Sequence, residues 1–68
     1  MPTNKLTKRE VQVLRRLVNG ESNGTIAVNL GIGRKTVEKY FTNIYQKIEV
    51  ESRTQAAIYA LKNRIAVL

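Results

Sequence analysis

Two closely spaced glycines, Gly31 and Gly33, divide the centre of this chain and limit the folds open to it. Glycine lacks a Cβ, so it readily adopts the positive φ that ends a helix and turns the chain. A short apolar stripe with helical spacing precedes the glycines and consists of Ile26, Ala27 and Leu30. Ser22 is placed to cap the helix that carries this stripe. Ile32, between the glycines, is expected to be buried.

The residues after the turn predict a longer helix over residues 34–48, because four apolar residues repeat at spacings of four, three and four. These residues are Val37, Phe41, Ile44 and Ile48. At about 100° per residue they fall within roughly 60° of arc, so one face of the helix is expected to be buried. The opposite side is polar and basic and carries Lys35, Glu38, Lys39, Thr42 and Gln46, with Asn43 and Lys47 on one flank and Arg34 on the other.

Another helix is predicted before this pair. Thr7 and Glu10 have the spacing of a capping box, and Gly20 can supply the left-handed stop. The helix should therefore run over residues 8–19. Its apolar face is expected to consist of Val11, Leu14, Leu17 and Val18.

A fourth helix is predicted over residues 52–63, with Ser52 and Gln55 as a second capping box. This segment is apolar on more than one side, so only part of it can face the core. Surplus apolar surface of the kind that contacts another protein is expected at Ile58, Tyr59, Ile65, Val67 and Leu68.

The length of 68 residues allows one domain with a single small core. We therefore predict an all-α fold for residues 1–68, a compact four-helix domain whose second and third helices form a central helix-turn-helix.

With 0 Cys and 0 His, the chain lacks disulfides, the ligand set of a zinc finger and a thiol or imidazole catalyst. No apolar run approaches the roughly 18 residues of a membrane helix, and the N-terminus lacks the apolar segment of a signal peptide. A cytoplasmic location is expected.

The net charge of the chain indicates which class of partner it can bind. Twelve Lys and Arg against five Asp and Glu give a net charge of +7, which favours a polyanion through counterion release. Many small soluble domains are basic for solubility alone, so the position of the charge matters more than its sum. The third helix follows a tight turn and carries four basic residues and one acid from Arg34 to Lys47. This arrangement is typical of a helix placed in a DNA major groove; the alternative is an ordinary solvated surface.

The polar side of the third helix carries groups that can recognise bases. Lys35 and Lys39 can reach guanine O6 and N7. Glu38 can accept from cytosine N4, and Thr42 can contact a thymine methyl group or a base edge. Glu38 has a second interpretation of equal weight, because its spacing also fits a helical ion pair with Arg34.

A second set of residues is better placed for DNA phosphates, which fix register without carrying sequence information. It comprises Arg34, Thr36, Tyr40, Asn43 and Lys47 on the third helix, and Ser22, Asn23 and Thr25 at the free N–H groups that begin the second. Arg15 and Arg16 are expected to be solvated. Arg53 opposes the dipole of the fourth helix, so we expect it to have an acidic partner, with Glu10 as the candidate.

Four ordered motifs span the chain: L-T-x-R-E from Leu6, S-N-x-x-I-A-x-x-L from Ser22, T-V-x-x-Y-x-x-N-I-x-x-K-I from Thr36, and S-R-T-Q-A from Ser52. This set resembles the LuxR/FixJ (NarL/GerE) helix-turn-helix domain of bacterial transcription regulators. The resemblance implies that the third helix reads the major groove, with base-facing residues at Glu38, Lys39 and Thr42. It also implies a homodimer through the fourth helix, and we expect the contact at Ile58, Tyr59 and Lys62.

The resemblance further implies that the chain is the C-terminal output module of a larger response regulator, which binds double-stranded DNA at two half-sites. RNA polymerase is a further candidate partner. No catalysis, cofactor, metal or small-molecule ligand is expected in this domain. Two other classes are alternatives: a helical protein-interaction module with an incidental basic surface, and a single-stranded RNA binder. The second normally stacks bases on exposed aromatics, whereas this chain is only 6% aromatic and has Phe41 on its apolar stripe.

Several positions depart from the pattern of the family. Glu38 replaces a frequent basic residue and Tyr40 a frequent His, so the target sequence is expected to be unusual. Gly33 stands at the usual Ser cap, while Glu49 and Arg64 stand where Gly often follows the third and fourth helices. Gly24 and Thr25 replace common Lys and Glu residues in the second helix.

Overall fold

The computed structural model describes residues 6–67, so Leu68 and its expected apolar contact lie outside the described residues. Four helices form: α1 (Lys8–Val18), α2 (Asn23–Leu30), α3 (Arg34–Ile48) and α4 (Arg53–Lys62). Residues 6–67 contain no strand, and the predicted all-α fold is confirmed. Asn19, Ser52 and Asn63 cap helices rather than extend them, so each predicted boundary lies within one residue of the observed one. None of these four helices is both long and apolar enough to cross a membrane.

Side-chain caps start three of the four helices. At α1 the predicted capping box is confirmed: the Glu10 backbone N–H donates to Thr7 Oγ1 at 3.1 Å, and the Thr7 N–H donates to Glu10 Oε1 at 2.9 Å. At α4 only half of the predicted box forms. Ser52 Oγ accepts from the Gln55 N–H at 3.2 Å, but Gln55 Oε1 accepts from the N–H of Glu51, one residue before the cap, at 2.7 Å.

The glycine turn has the predicted geometry. Gly31 caps α2 with φ 68°, and the N–H of Ile32 donates to the Ala27 carbonyl at 3.0 Å, so the end of α2 is closed by backbone bonds. The expectation that Ile32 is fully buried is wrong. It packs against the core but is half-buried, because a turn this short stays at the surface.

One apolar stripe fixes α3 at the centre of the domain. All four predicted residues of the stripe are buried, and Val37 and Ile44 have no exposed surface. α3 packs against α1, α2 and α4, so its polar side is left to face outwards. The rest of the core comes from Leu6, Val13, Leu14, Leu17, Ile26, Ala27, Ala56, Ala60, Ile65 and Ala66.

The buried face of α1 is wider than its apolar pattern predicts. Val13 is fully buried together with Leu14, whereas the predicted Val11 and Val18 are only half-buried. α1 contacts all three other helices, so residues on more than one side of it are buried. A prediction from a single apolar stripe assumes neighbours on one side only.

The chain after α4 folds back onto the domain. The N–H of Ile65 donates to the Ala60 carbonyl at 2.8 Å, and its side chain is 6% exposed. The expectation that Ile65 belongs to the surplus apolar surface is therefore wrong, whereas Val67 is 77% exposed. Arg15 Nε donates to the Ile65 carbonyl at 2.7 Å and ties this segment to α1.

Glu10 joins the start of α1 to the end of α3. It is 3% exposed and accepts from Lys47 Nζ at 2.7 Å, so the expected pairing of Glu10 with Arg53 is wrong. Arg53 instead binds Asn23 near the start of α2. Burial by itself raises the pKa of Glu10, but the bonds from Lys47 and Thr7 outweigh burial and hold that pKa below its ordinary 4.5.

Two residues other than glycine adopt left-handed backbone conformations. Glu49 has φ 60° at the end of α3, and Arg64 has φ 56° after α4. Both stand where the family often has glycine. A side chain in this conformation costs roughly 1–2 kcal/mol, so these helix ends carry strain that the packing around them overcomes.

Lowering the pH should destabilise the domain through Glu10. Because its folded-state pKa lies below the unfolded value of 4.5, its contribution is fully present above that value and is lost as pH falls through the lowered folded pKa. Glu10→Gln should reduce the free energy of unfolding by about 1–3 kcal/mol near neutral pH and flatten the acid dependence. Urea unfolding at several pH values measures both effects. Glu38→Gln, an exposed acid, is the control; an acid dependence equal to wild type in Glu10→Gln would contradict this role.

Glu49→Gly should stabilise the domain by about 0.5–1 kcal/mol. The change relieves the left-handed strain and removes a carboxylate from a helix C-terminus, and the extra freedom of unfolded glycine offsets only part of that gain. Thermal unfolding should show a rise of a few degrees. Glu51→Gly, which removes a nearby acid at a position without positive φ, should give no rise. Equal shifts for the two variants would mean that backbone strain at Glu49 is not the cause.

Candidate nucleic-acid interface

The exposed face of α3 carries the four residues predicted to contact bases. Lys35, Glu38, Lys39 and Thr42 are all exposed. At about 100° per residue they fall within about 100° of arc, on the side of α3 away from the buried stripe. The backbone thus places three charged groups and a hydroxyl on one surface of a helix held rigidly by the core.

The first turn of α3 is open at its amino end. Gly33 is the N-cap and has no side chain, so it makes no capping hydrogen bond to the N–H groups that follow. Arg34, Lys35 and Thr36 lie in this turn and are exposed. Two cations and free N–H donors therefore share one end of the helix, an arrangement that favours an anion.

Glu38 does not form the helical ion pair with Arg34. Within residues 6–67 the ion pairs are Arg16–Glu21 and Lys47–Glu10. The hydroxyl of Thr42 donates to the backbone carbonyl of Glu38 at 3.1 Å rather than to its carboxylate. The carboxylate is therefore open to a partner from outside the described residues.

The predicted phosphate-contacting residues of α3 lie on its flanks. Arg34 and Thr36 are exposed, whereas Tyr40 and Asn43 are half-buried. Tyr40 packs against the core, so its ring is held on the side that faces the other helices.

Lys47 has a structural partner that the sequence pattern does not reveal. Its ammonium donates to the buried Glu10, while its own side chain is 35% exposed. An ammonium has three N–H donors, so two remain for other acceptors. A phosphate contact by Lys47 is compatible with this geometry, but the residue also holds α3 to α1.

The start of α2 is tied to α4 by Arg53, which the sequence analysis does not place in the site. Arg53 donates to Asn23 Oδ1 at 2.8 Å and to the Glu21 carbonyl at 3.3 Å. Its guanidinium carbon lies 5.0 Å from the ring centroid of Phe41 in α3, within cation–π range. The sequence signal for Arg53 is its position at the start of a helix, where a cation opposes the helix dipole.

The other two predicted residues of this region form the cap of α2. Ser22 Oγ accepts from the Thr25 N–H at 3.2 Å, and the two hydroxyl groups lie 3.0 Å apart in a hydrogen bond. Both residues are exposed. Because Arg53 occupies the oxygen of Asn23, the amide N–H groups of Asn23 remain as donors beside this cap.

The basic residues divide into two groups. One group has partners within the domain and comprises Arg9, Arg15, Arg16, Lys47 and Arg53. Arg15 is exposed and Arg16 half-buried, and each also has a partner within the domain that the sequence does not predict. The other group forms no side-chain hydrogen bond or ion pair with any of residues 6–67; three of its six members lie on α3 (Arg34, Lys35 and Lys39), and the rest are Lys8, Lys62 and Arg64.

The outer side of α4 carries the residues predicted for a dimer contact. Ile58 is 47% exposed, and Leu61, which the prediction does not include, is 37% exposed. Lys62 is exposed and Tyr59 is half-buried. The Tyr59 hydroxyl oxygen is buried without a partner among the described residues, and burial raises the pKa of this group.

Known proteins share this sequence pattern. A family model described as "Bacterial regulatory proteins, luxR family" matches residues 4–60. The chain is 43% identical over 65 residues to the transcriptional regulatory protein LiaR of Bacillus subtilis, covering 96% of this chain and 31% of LiaR. It is 49% identical over 57 residues to the uncharacterized transcriptional regulatory protein YhcZ of the same organism, covering 84% and 27%.

A third relative is the response regulator protein VraR of Staphylococcus aureus, 43% identical over 60 residues, with 88% of this chain and 29% of VraR covered. The chain thus spans less than a third of the length of these curated relatives.

Lys47→Met should lower the free energy of unfolding by about 1–3 kcal/mol, because it leaves the buried Glu10 carboxylate without its cation. Lys39→Met, which removes an exposed cation from the same helix, is the matched control and should change stability by less than about 0.5 kcal/mol. Urea unfolding measures both. The loss in the double variant Glu10→Gln with Lys47→Met should be smaller than the sum of the single losses, and strict additivity would argue against the pair.

Proposed function

Because the chain belongs to the luxR family of bacterial regulatory proteins, we propose that it binds specific sequences of double-stranded DNA by placing α3 in the major groove. The domain is a DNA-binding unit of transcription regulation and not an enzyme. A single observation carries the proposal for α3: its exposed face bears cations that have no partner within residues 6–67. An α-helix fits the major groove, and unpaired cations there release counterions from DNA.

The exposed face of α3 supplies groups for base recognition. Lys35 and Lys39 are proposed to donate to guanine O6 and N7, and Thr42 to contact a thymine methyl group or a base edge. The Thr42 hydroxyl already donates to its own helix, so its methyl group and oxygen lone pairs are the parts free for DNA. Glu38 adds a carboxylate, a hydrogen-bond acceptor, to this face.

Phosphate contacts are proposed on both sides of the groove. On α3 they involve Arg34, Thr36, Tyr40, Asn43 and Lys47, and at the start of α2 they involve Ser22, Asn23 and Thr25. The free N–H groups at the two helix starts and the amide donors of Asn23 support this assignment. Such contacts set the position of α3 without selecting sequence.

We place a homodimer contact on α4, at Ile58, Tyr59 and Lys62. The exposed apolar area of Ile58 and Leu61 supports a protein partner on this side. A dimer would bind two half-sites about one helical turn, roughly 34–36 Å, apart.

The intact regulator is proposed to be larger than this chain. Its relatives are transcriptional regulatory proteins and a response regulator of which it spans less than a third. We propose that the chain is the C-terminal output module of such a protein, working in the bacterial cytoplasm, with RNA polymerase as a partner of the whole regulator. This domain is proposed to need no cofactor or small-molecule ligand.

Lys39→Ala should relax sequence preference and weaken binding to the selected sequence by about 1–3 kcal/mol. The selected sequence comes from a randomised duplex pool passed over the protein, and fluorescence anisotropy over a salt series then compares it with a scrambled duplex. Lys8→Ala, which removes an exposed cation from α1, is the matched control and should leave the preference unchanged. If Lys39→Ala left the ratio of specific to nonspecific affinity unchanged, α3 would not be the recognition helix.

The same pool tests the dimer. A motif with dyad symmetry is the expected result, whereas a single asymmetric motif would contradict the paired half-sites. A pool without any enriched sequence would favour a protein-interaction module with an incidental basic surface.

A further inference from the structure

The acid on the exposed face of α3 has no structural role in the domain. Glu38 is exposed in the second turn of α3, and within residues 6–67 neither a cation nor a hydrogen-bond donor engages its carboxylate. Arg34, one turn earlier, is not its partner. Lys35 and Lys39 lie on the same face, so the carboxylate sits among the cations that are proposed to enter the groove.

A carboxylate at this place acts against general DNA affinity. It reduces the positive charge of α3 and is repelled by phosphates, so a domain that gained affinity only from charge would be better without it. No cation among residues 6–67 forms an ion pair with Glu38. Glu38 therefore weakens binding to any duplex in which no base supplies a hydrogen-bond donor to the carboxylate.

The edges of the bases decide which sequence supplies that donor. In the major groove guanine shows the acceptors N7 and O6, and thymine shows the acceptor O4, so both repel a carboxylate. Adenine offers its N6 amino group, but the N7 acceptor lies beside it. Cytosine offers its N4 amino group, and its own ring has no acceptor beside that group in the major groove, so it is the base whose edge best fits a carboxylate.

We propose that Glu38 is a specificity-determining residue that selects cytosine at the base facing the second turn of α3 and penalises other duplexes. The inference rests on the proposed function of α3 in the major groove and names part of its target. Each half-site then contains a G·C pair whose cytosine faces Glu38. Lys39, the next residue in the chain, is close enough along the helix to donate to a guanine in the same or a neighbouring pair.

The test compares wild type with Glu38→Gln and Glu38→Ala in the randomised duplex pool. Wild type should enrich cytosine at one position of each half-site. Glu38→Gln should lose that preference by at least about fivefold and shift it towards adenine, because an amide pairs with both N6 and N7 of adenine. Glu38→Ala should lose the preference without a shift, and both variants should bind a scrambled duplex more tightly than wild type.

Glu51→Gln is the matched control, since it also removes one exposed negative charge but lies outside α3. It should leave the cytosine preference unchanged, which separates a local contact from an effect of net charge. Circular dichroism should show all variants folded, because Glu38 is exposed and unpaired.

The outcomes separate this inference from the proposed function. If wild type enriches a motif and Glu38→Gln and Glu38→Ala enrich the same motif with the same cytosine, Glu38 does not select the base and the inference fails alone. If wild type enriches no motif, both the proposed function and the inference about Glu38 fail. A gain in scrambled-duplex affinity with an unchanged motif would show that Glu38 acts by charge only, which also overturns the selection of cytosine.

Discussion

Burial of the apolar stripe of α3 is the constraint on which the rest of the domain depends. Val37, Phe41, Ile44 and Ile48 lie within a narrow arc and are buried against three other helices. Burying four side chains of this size stabilises the fold by several kcal/mol, more than any single polar contact in it. Since a helix has a fixed periodicity, fixing this side also fixes which residues face outwards. The exposed face of α3 is therefore a consequence of the core.

Polar contacts refine this placement at the last turn and at the middle of α3. The Lys47–Glu10 pair joins its last turn to the first turn of α1, and Arg53 lies over Phe41 while holding Asn23. These contacts use cations, so part of the positive charge of the chain serves the fold. Half of the cations left without a partner among residues 6–67 lie in the first two turns of α3. Net charge alone would not distinguish these two uses, whereas the contacts of each side chain do.

The fold was largely predictable from the sequence, because its signals are local. The capping residues Thr7, Ser22 and Ser52, the glycine turn and the α3 stripe each act within a few residues of the chain, and all appear as expected. Apart from the half-burial of Ile32 and the incomplete capping box at Ser52, the failures are non-local. The partners of Glu10 and Arg53, the burial of Ile65 and the full burial of Val13 depend on which helices meet, which periodicity does not encode. The residues of the exposed face follow from helix geometry, but their bases and phosphates depend on a partner with its own shape.

The left-handed backbone at Glu49 has a consequence for how such a domain can change over generations. A glutamate codon becomes a glycine codon by one base substitution, so a more relaxed helix end is a single mutational step away. The domain does not occupy that optimum, as is usual for proteins held only above a stability threshold. The stability that this step would add, about 0.5–1 kcal/mol, is similar to what a typical substitution removes. A descendant that had taken this step could lose the stability of one typical substitution elsewhere and still keep the buried stripe of α3 unchanged.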